Sequence, residues 1–374
     1  MAYRLLSVDD HLIEPPNVWV DRLPQKYREI GPRVVRDEGR DWWEYEDRRC
    51  ETPGLNAVAG KDPSEWNMDP ASFDDMIRGC YDPKVRLKDI SADGIYGSLC
   101  FPTLPRFSGT RFVEFKDKEL ARLCVNAYND WMLEEWCGAA PEVYIPLMIV
   151  PLWDPAGAAE EVYRCTERGF RAVSFPENPY PVGLPSFNSA EWDPLWRAVT
   201  ETGIPVCLHV GTSGVVHAPS PEAHFIVQIM ASPIMTSLDS MIDVMMSPTL
   251  RKFPDLKFVM SEGGISWVPG AIERADRIWE LNHLWAETGN IRPSEMFARN
   301  FWVCFVDEPF GVESRYRIGV DHIMWECDYP HAETPWPNSQ QVVTKAMDGV
   351  PADEVEAMIR GNAERVFNWK LPDE

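Results

Sequence analysis

The chain has 374 residues, 45% of them hydrophobic and 25% charged, the balance of a globular protein long enough for a large buried core. Its formal net charge of -23 argues against nucleic acid or an anionic membrane as partner, since both require a basic face. The opening Met1–Leu6 is too short for an apolar targeting segment, and Asp9 and Asp10 cut it off at once.

From there, eight short and almost continuously apolar runs recur in chain order: RLLSV, GIYGSLCF, VYIPLMIV, FRAVSF, IPVCLHV, LKFVMS, FWVCFV and HIMWEC. Such runs are expected of parallel strands buried on both faces. Stretches with helical periodicity lie between them: DKELARLCVNAYNDWMLEEW, AGAAEEVYRCTERG, EWDPLWRAVTETG, PGAIERADRIWELNHLW and, last, PADEVEAMIRGNAERVFNW. Gly169 and Gly203 stand where two of these helices should stop. The alternation predicts an α/β chain folded as a (β/α)8 TIM barrel over residues 1–374. A doubly wound open sheet is the runner-up, disfavoured because no GxGxxG or GxxxxGKS follows any strand. Residues 15–90 break the alternation and are rich in Pro, Trp and charge, so a cap-like insertion after strand one is expected there. Its Trp42, Trp43 and Trp66 are candidates for lining an apolar substrate pocket. No uncharged apolar run approaches a membrane span in length. The nine scattered cysteines contain no CxxC pair and read as buried thiols of a reducing, cytoplasmic setting.

In a barrel of this kind, chemistry gathers at the C-terminal ends of the strands. Strand one ends in Asp9, Asp10 and His11, strand five in His209, and strand six in Glu262. Strand eight ends in Glu326 and Asp328, with His331 just beyond. Residues two apart on a strand share a face, so Asp9 and His11 should point inward together while Asp10 points away, and Glu326 should pair with Asp328. Imidazoles and carboxylates converging from distant strands need a cation between them, and this donor set suits Zn, Mn, Fe or Co better than Ca or Mg.

Five stretches then carry a resemblance across nearly the whole chain: DDHLIEP, YDPKVRLKDISADGI, CLHVG, SEGGISWVPG and ECDYPH. In this order the chain resembles the amidohydrolase superfamily, in its decarboxylase-like amidohydrolase 2 branch. The resemblance implies metal ligands at Asp9, His11, His209 and Asp328, with Asp9 standing where many members have His or Glu. Glu262 stands where the better-known decarboxylases have a catalytic His.

The simpler readings are structural. Asp9 and His11 could form a loop hydrogen-bond pair, His209 could be a satisfied core histidine, and Asp328 could open a turn. Glu262 could bind the amides of the Gly263–Gly264 turn, and Glu14 could pair with an arginine. His331 is a neighbour of the site or a substrate-facing group, and His217, His224, His283 and His322 read as structural.

The leading expectation is an enzyme with one divalent metal acting on a small, cyclic carboxylate or carbonyl substrate, by hydrolysis or by non-oxidative decarboxylation. Asp328 would accept a proton, and Glu262 would deliver one or bind a second metal. The rival is an iron-dependent oxygenase on the same barrel, with up to two irons. A third reading is a barrel that binds a ligand without turnover. A homo-oligomer is possible on the apolar helix faces.

Overall fold

The computed structural model describes residues 2–50, 54–67, 70–214, 217–286 and 289–372. Twelve strands appear among them. β1 is Leu5–His11; β2 is Arg33–Asp37, β3 Arg40–Tyr45 and β4 Arg48–Cys50; β5 is Ile95–Phe101; β6 is Tyr144–Ile145 and β7 Leu147–Met148. β8 is Ala172–Pro176, β9 Val206–His209, β10 Phe258–Ser261, β11 Phe301–Phe305 and β12 Ile323–Trp325. Every one of the eight apolar runs contains a strand, and all their pairings are parallel. Neighbours follow chain order, β1-β5-β6 in one arc and β7-β8-β9-β10-β11-β12 in the other.

The expected closed eight-stranded ladder is not what forms. Regular pairing breaks at two seams, for different reasons. Strand three is split at Pro146, which has no N–H to give, although its carbonyl still accepts from Arg171 N at 2.9 Å. Strand eight stops at Trp325, earlier than the Glu326–Asp328 alternation predicts, because the chain turns at Asp328 with a left-handed φ of 55°. Single hydrogen bonds replace the ladder there: Asp328 N to Asp9 O and His11 N to Tyr329 O, both 2.7 Å. β1 meets this seam through an irregular register between Ser7 and Asp10 on its β5 side.

Between β1 and β5, the strands β2–β4 make a small antiparallel sheet. Trp43 is buried there edge-on to Trp19, with ring centroids 5.3 Å apart. Trp42 lies beside the guanidiniums of Arg40 and Arg49, and Trp66 is exposed with its indole N–H on Lys61 O. None of the three lines the cleft beside the imidazoles described below, and their contacts are those of packing and surface groups.

The expected helices form, Lys118–Trp131, Pro155–Glu167, Asp193–Thr202 and Val268–Ala286 among them. The sequence reading missed Phe225–Met246, whose apolar residues run round the helix without a clean stripe. By length and composition alone this helix is apolar enough to cross a membrane; it carries Asp239 and Asp243, and little of it is fully buried. All nine cysteines are free and buried.

Three buried charged groups lock the mouth of the barrel. Asp10 points away from the axis, accepts from Tyr329 N at 3.1 Å, and is hydrogen-bonded by Ser98 Oγ. Arg86 donates to Gly79 O at 2.8 Å and His11 O at 2.5 Å and lies over the Tyr329 ring. Glu14 accepts from Thr103 N at 2.9 Å and Leu104 N at 2.8 Å, so its partners are backbone amides and not an arginine. Glu14→Ala would leave both amides buried without an acceptor and is expected to cost about 2–4 kcal/mol, read as a lower urea midpoint. Metal content of the folded variant should match that of the parent, since the Glu14 carboxylate is engaged by backbone amides and belongs to none of the ligand groups described below.

Candidate metal centre

β1 delivers Asp9 and His11 to the same side, as strand alternation requires. Both are fully buried. His11 Nε2 lies 3.4 Å from Asp9 Oδ1 and 3.3 Å from Asp328 Oδ1. β9 brings His209 from the far side of the ring, with Nε2 at 3.0 Å from His11 Nε2 and 3.2 Å from Asp9 Oδ2. Ligand atoms of Asp9, His11 and His209 fall within 4.8 Å of one another, as do those of His11, Asp328 and His331.

The tautomer of His209 follows from its other nitrogen. Nδ1 lies 2.7 Å from the carbonyl oxygen of Val210, and a carbonyl can only accept. Nδ1 therefore carries the proton, and a neutral His209 presents the lone pair of Nε2 to Asp9 and to His11. Neither oxygen of Asp9 has a hydrogen-bond partner, and neither do His11 Nδ1 and His331 Nε2, all of them buried, while Asp328 has only the imidazoles of His331 and His11 beside it. A lone pair aimed at an unpartnered carboxylate in a dry interior is repulsive until a cation sits between them. The donor set therefore fits a divalent ion that accepts both imidazole and carboxylate.

Burial pushes Asp9 well above the usual carboxylate range and His11 well below the usual imidazole range, because each would otherwise hold a charge without water. Burial acts on Asp328 as well, but His331 and His11 beside it outweigh that and hold it below its ordinary value. The His331 Nδ1–Asp328 Oδ1 separation is 2.9 Å, and the His331 ring stacks on His11 at 3.9 Å.

Glu262 follows β10 with a left-handed φ of 59°. Its carboxylate does not bind the Gly263–Gly264 turn. That turn is held by Glu308, which accepts from Ile265 N at 3.0 Å and Ser266 N at 2.7 Å. Gly263 is required there because a Cβ would meet Ser237 Oγ at 2.3 Å. Glu262 is left to face the centre, Oε2 3.6 Å from His209 Nδ1, and its side chain is partly exposed. Glu326 is buried and accepts from Glu262 N at 3.2 Å.

The sequence reading missed two residues. Glu333, exposed at the rim, forms a third group with Glu262 and Asp328, again within 4.8 Å. Its position two beyond His331 was the available signal. Phe107 packs over both imidazoles, 4.5 Å from His11 and 4.3 Å from His209, and no spacing marks it. Phe107 also lines a cleft of about 190 Å³ with Leu55, Thr103, Arg106, Arg111 and Gly211. The remaining histidines lie elsewhere: His224 caps the helix that follows it, while His283 and His322 donate to the carbonyls of Trp279 and Phe301.

Several solved structures share this fold. An amidohydrolase from Mycobacterium avium subsp. paratuberculosis superposes with a TM-score of 0.78 at 23% identity, over 98% of this chain and 100% of that one. The 5-carboxyvanillate decarboxylase of Sphingomonas paucimobilis gives 0.66 at 22%, over 98% and 99%. That of Novosphingobium aromaticivorans, complexed with manganese and 4-hydroxy-3-methoxy-5-nitrobenzoic acid, gives 0.68 at 18%, over 98% and 96%. At these identities the likeness establishes an α/β fold of the TIM-barrel kind and nothing finer. A family model described as amidohydrolase matches residues 32–369, from the insertion to the last helix, although β1 with Asp9 and His11 lies ahead of the match. The chain belongs to the amidohydrolase 2 family.

Proposed function

We propose that this chain is a metal-dependent enzyme acting on a small, cyclic carboxylate, with non-oxidative loss of the carboxylate favoured over hydrolysis. Two overlapping groups, Asp9–His11–His209 and His11–Asp328–His331, joined at His11 and with the oxygens of Asp9 unpartnered, carry the reading. Asp9, His11, His209 and Asp328 would hold the ion, and manganese is the first choice because a decarboxylase of the same fold is complexed with it. When bound, a divalent ion supplies a Lewis acid for a carboxylate or carbonyl oxygen.

The protein's own groups divide the remaining work. Phe107 covers the imidazoles and keeps water from one side of the centre. Arg106 and Arg111 give the cleft beyond it a cationic wall suited to an anionic substrate. Glu262, on the wetter side, is placed to move a proton. In decarboxylation the carbon–carbon bond breaks, its electron pair stays on the ring carbon, and that carbon takes a proton from Glu262 as CO2 leaves. In the hydrolytic version Asp328, held ionised by His331 and His11, accepts a proton from the attacking water.

His209→Ala should reduce bound manganese from about one equivalent or more per chain to near zero while the circular dichroism spectrum stays unchanged. Full metal content in that variant would overturn the assignment. With manganese present, CO2 release from 5-carboxyvanillate and other ortho-hydroxybenzoates is the activity test. Glu262→Gln should lower kcat by about 10²–10⁴-fold, the usual contribution of a positioned acid, with KM little changed. A mixed His and carboxylate set also accepts iron. Substrate-dependent oxygen uptake by an iron-loaded sample, without CO2 release by the manganese form, would favour the oxygenase reading instead.

A further inference from the structure

We infer that the outer faces of the helices Phe225–Met246 and Val268–Ala286 form one surface, on which a second copy of this chain docks about a two-fold axis. On the first helix Phe225, Ile226, Ile229, Met230 and Ile234 are exposed, at three- and four-residue steps that keep them on one side. On the second, Ile278, Leu281, Leu284 and Trp285 follow the same steps, with Leu284 81% and Trp285 74% exposed. A groove of about 1000 Å³ runs between the two helices over Ile242, Met246, Ala275 and Trp279. The first helix cannot turn its apolar face inward. Its other side is held by the buried Ser237, Met241, Val244 and Met245, and Ser240 Oγ is hydrogen-bonded to Glu177 O at 2.6 Å.

The extent of this surface fits a stable pair. At about 200 Å² for a large side chain, the nine leave roughly 900 Å² open, against ~800 Å² per partner in a standard interface and ~300–600 Å² for the largest patch of a monomer.

Charge narrows the occupant to a copy of the chain. With a net charge of -23, two copies repel over most of their surfaces, and a basic partner would be drawn to the acidic faces instead. Residues 225–238 contain no Asp, Glu, Lys or Arg, and neither do residues 281–286, although 25% of the chain is charged. Here two copies can meet without like-charge contact. At the edge of the groove, Asp239 of the first helix and Arg274 of the second are exposed and have no ion-pair partner among the described residues. A two-fold axis that lays the first helix of one copy along the second helix of the other brings these opposite charges together twice. Sequestering the apolar side chains supplies the affinity, and the paired charges supply the register.

Sedimentation velocity of the full chain, from submicromolar to tens of micromolar, tests this without reference to metal. The parent should sediment at twice the chain mass. Met230→Glu and Leu284→Glu, each at an exposed position, should raise the dimer Kd by about 10²-fold or more, because each buries a carboxylate in an apolar interface. Their circular dichroism spectra should match that of the parent. Ile30→Glu, an exposed apolar position on the segment ahead of β2, should leave the dimer intact. Asp239→Arg should weaken pairing, and the added Arg274→Asp should restore it. A monomer at every concentration would overturn the inference, as would a dimer insensitive to both Met230→Glu and Leu284→Glu. Failure of the charge swap to restore pairing would overturn the two-fold register. A monomer that floats with phosphatidylcholine vesicles would assign the face to lipid and overturn the inference as well.

Discussion

The hydrogen bond from His209 Nδ1 to the carbonyl of Val210 governs what the centre can be. It fixes the proton on the outer nitrogen, so the inner one can act only as a lone-pair donor while the ring is neutral. Protonating the inner nitrogen would relieve the contact with Asp9, but it would place a cationic ring at 3.0 Å from a second imidazole in a site without water. Binding a metal resolves both contacts at once, which is why histidine ligands so often give their second nitrogen to a carbonyl or carboxylate. The same logic applies to the oxygens of Asp9 and Asp328. As an anion Asp9 accepts no hydrogen bond, whereas Asp328 has the imidazoles of His331 and His11 beside it, so the need for a cation is sharpest at Asp9.

Such a centre has to be held by something stiffer than itself. The seam between β12 and β1 does that work with few bonds. Asp9 gives its carbonyl to Asp328 N, so the two carboxylates cannot drift apart without breaking the closure of the ring. Asp10, on the opposite face, takes Tyr329 N, and Arg86 reaches both His11 O and the Tyr329 ring. Adjacent residues of one strand thus divide the labour, Asp9 towards the centre and Asp10 towards the frame. Glu262 and Asp328 also sit in left-handed backbone, at a cost of about 1–2 kcal/mol each for residues with a Cβ. The clamp of Glu308 on the loop after β10 and the hydrogen bonds of the seam offset that strain. The strain lies at the two positions where a strand must stop abruptly to aim a carboxylate at the axis.

The strand order and much of the centre were legible because both rest on short-range patterns. Continuous apolar runs follow from burial on two faces, and the inward pair Asp9 and His11 follows from the period of a strand. Legibility failed where tertiary contacts take over. The helix Phe225–Met246 was missed because its apolar residues do not form one stripe. Trp42, Trp43 and Trp66 were assigned to a pocket on composition, whereas Trp43 packs on Trp19, Trp42 lies beside Arg40 and Arg49, and Trp66 donates to Lys61 O. Closure of the ring was read as one ladder, although a proline in strand three and a left-handed Asp328 interrupt it. Glu333 was signalled only by its place two beyond His331, and Phe107 by nothing in the spacing, because a packing contact carries it to the imidazoles.

The asymmetry of the centre then shapes its chemistry. On one side Phe107 lies flush with two imidazoles, and the low dielectric there strengthens every charge interaction. On the other side Glu262 and Glu333 reach toward solvent, where protons can be exchanged. A reaction that develops negative charge on a carbon and ends with its protonation needs both conditions, a dry electrophilic wall and a replenished acid. A barrel supplies them at one rim because each strand end is an independent anchor, so the dry and wet groups are positioned by different elements. Glu262 belongs to the wet half by virtue of Glu308, which takes over the turn amides and leaves the Glu262 carboxylate unengaged by its own loop. That exchange of roles between two glutamates, one structural and one facing the imidazoles, is what makes a carboxylate at the end of strand six chemically available.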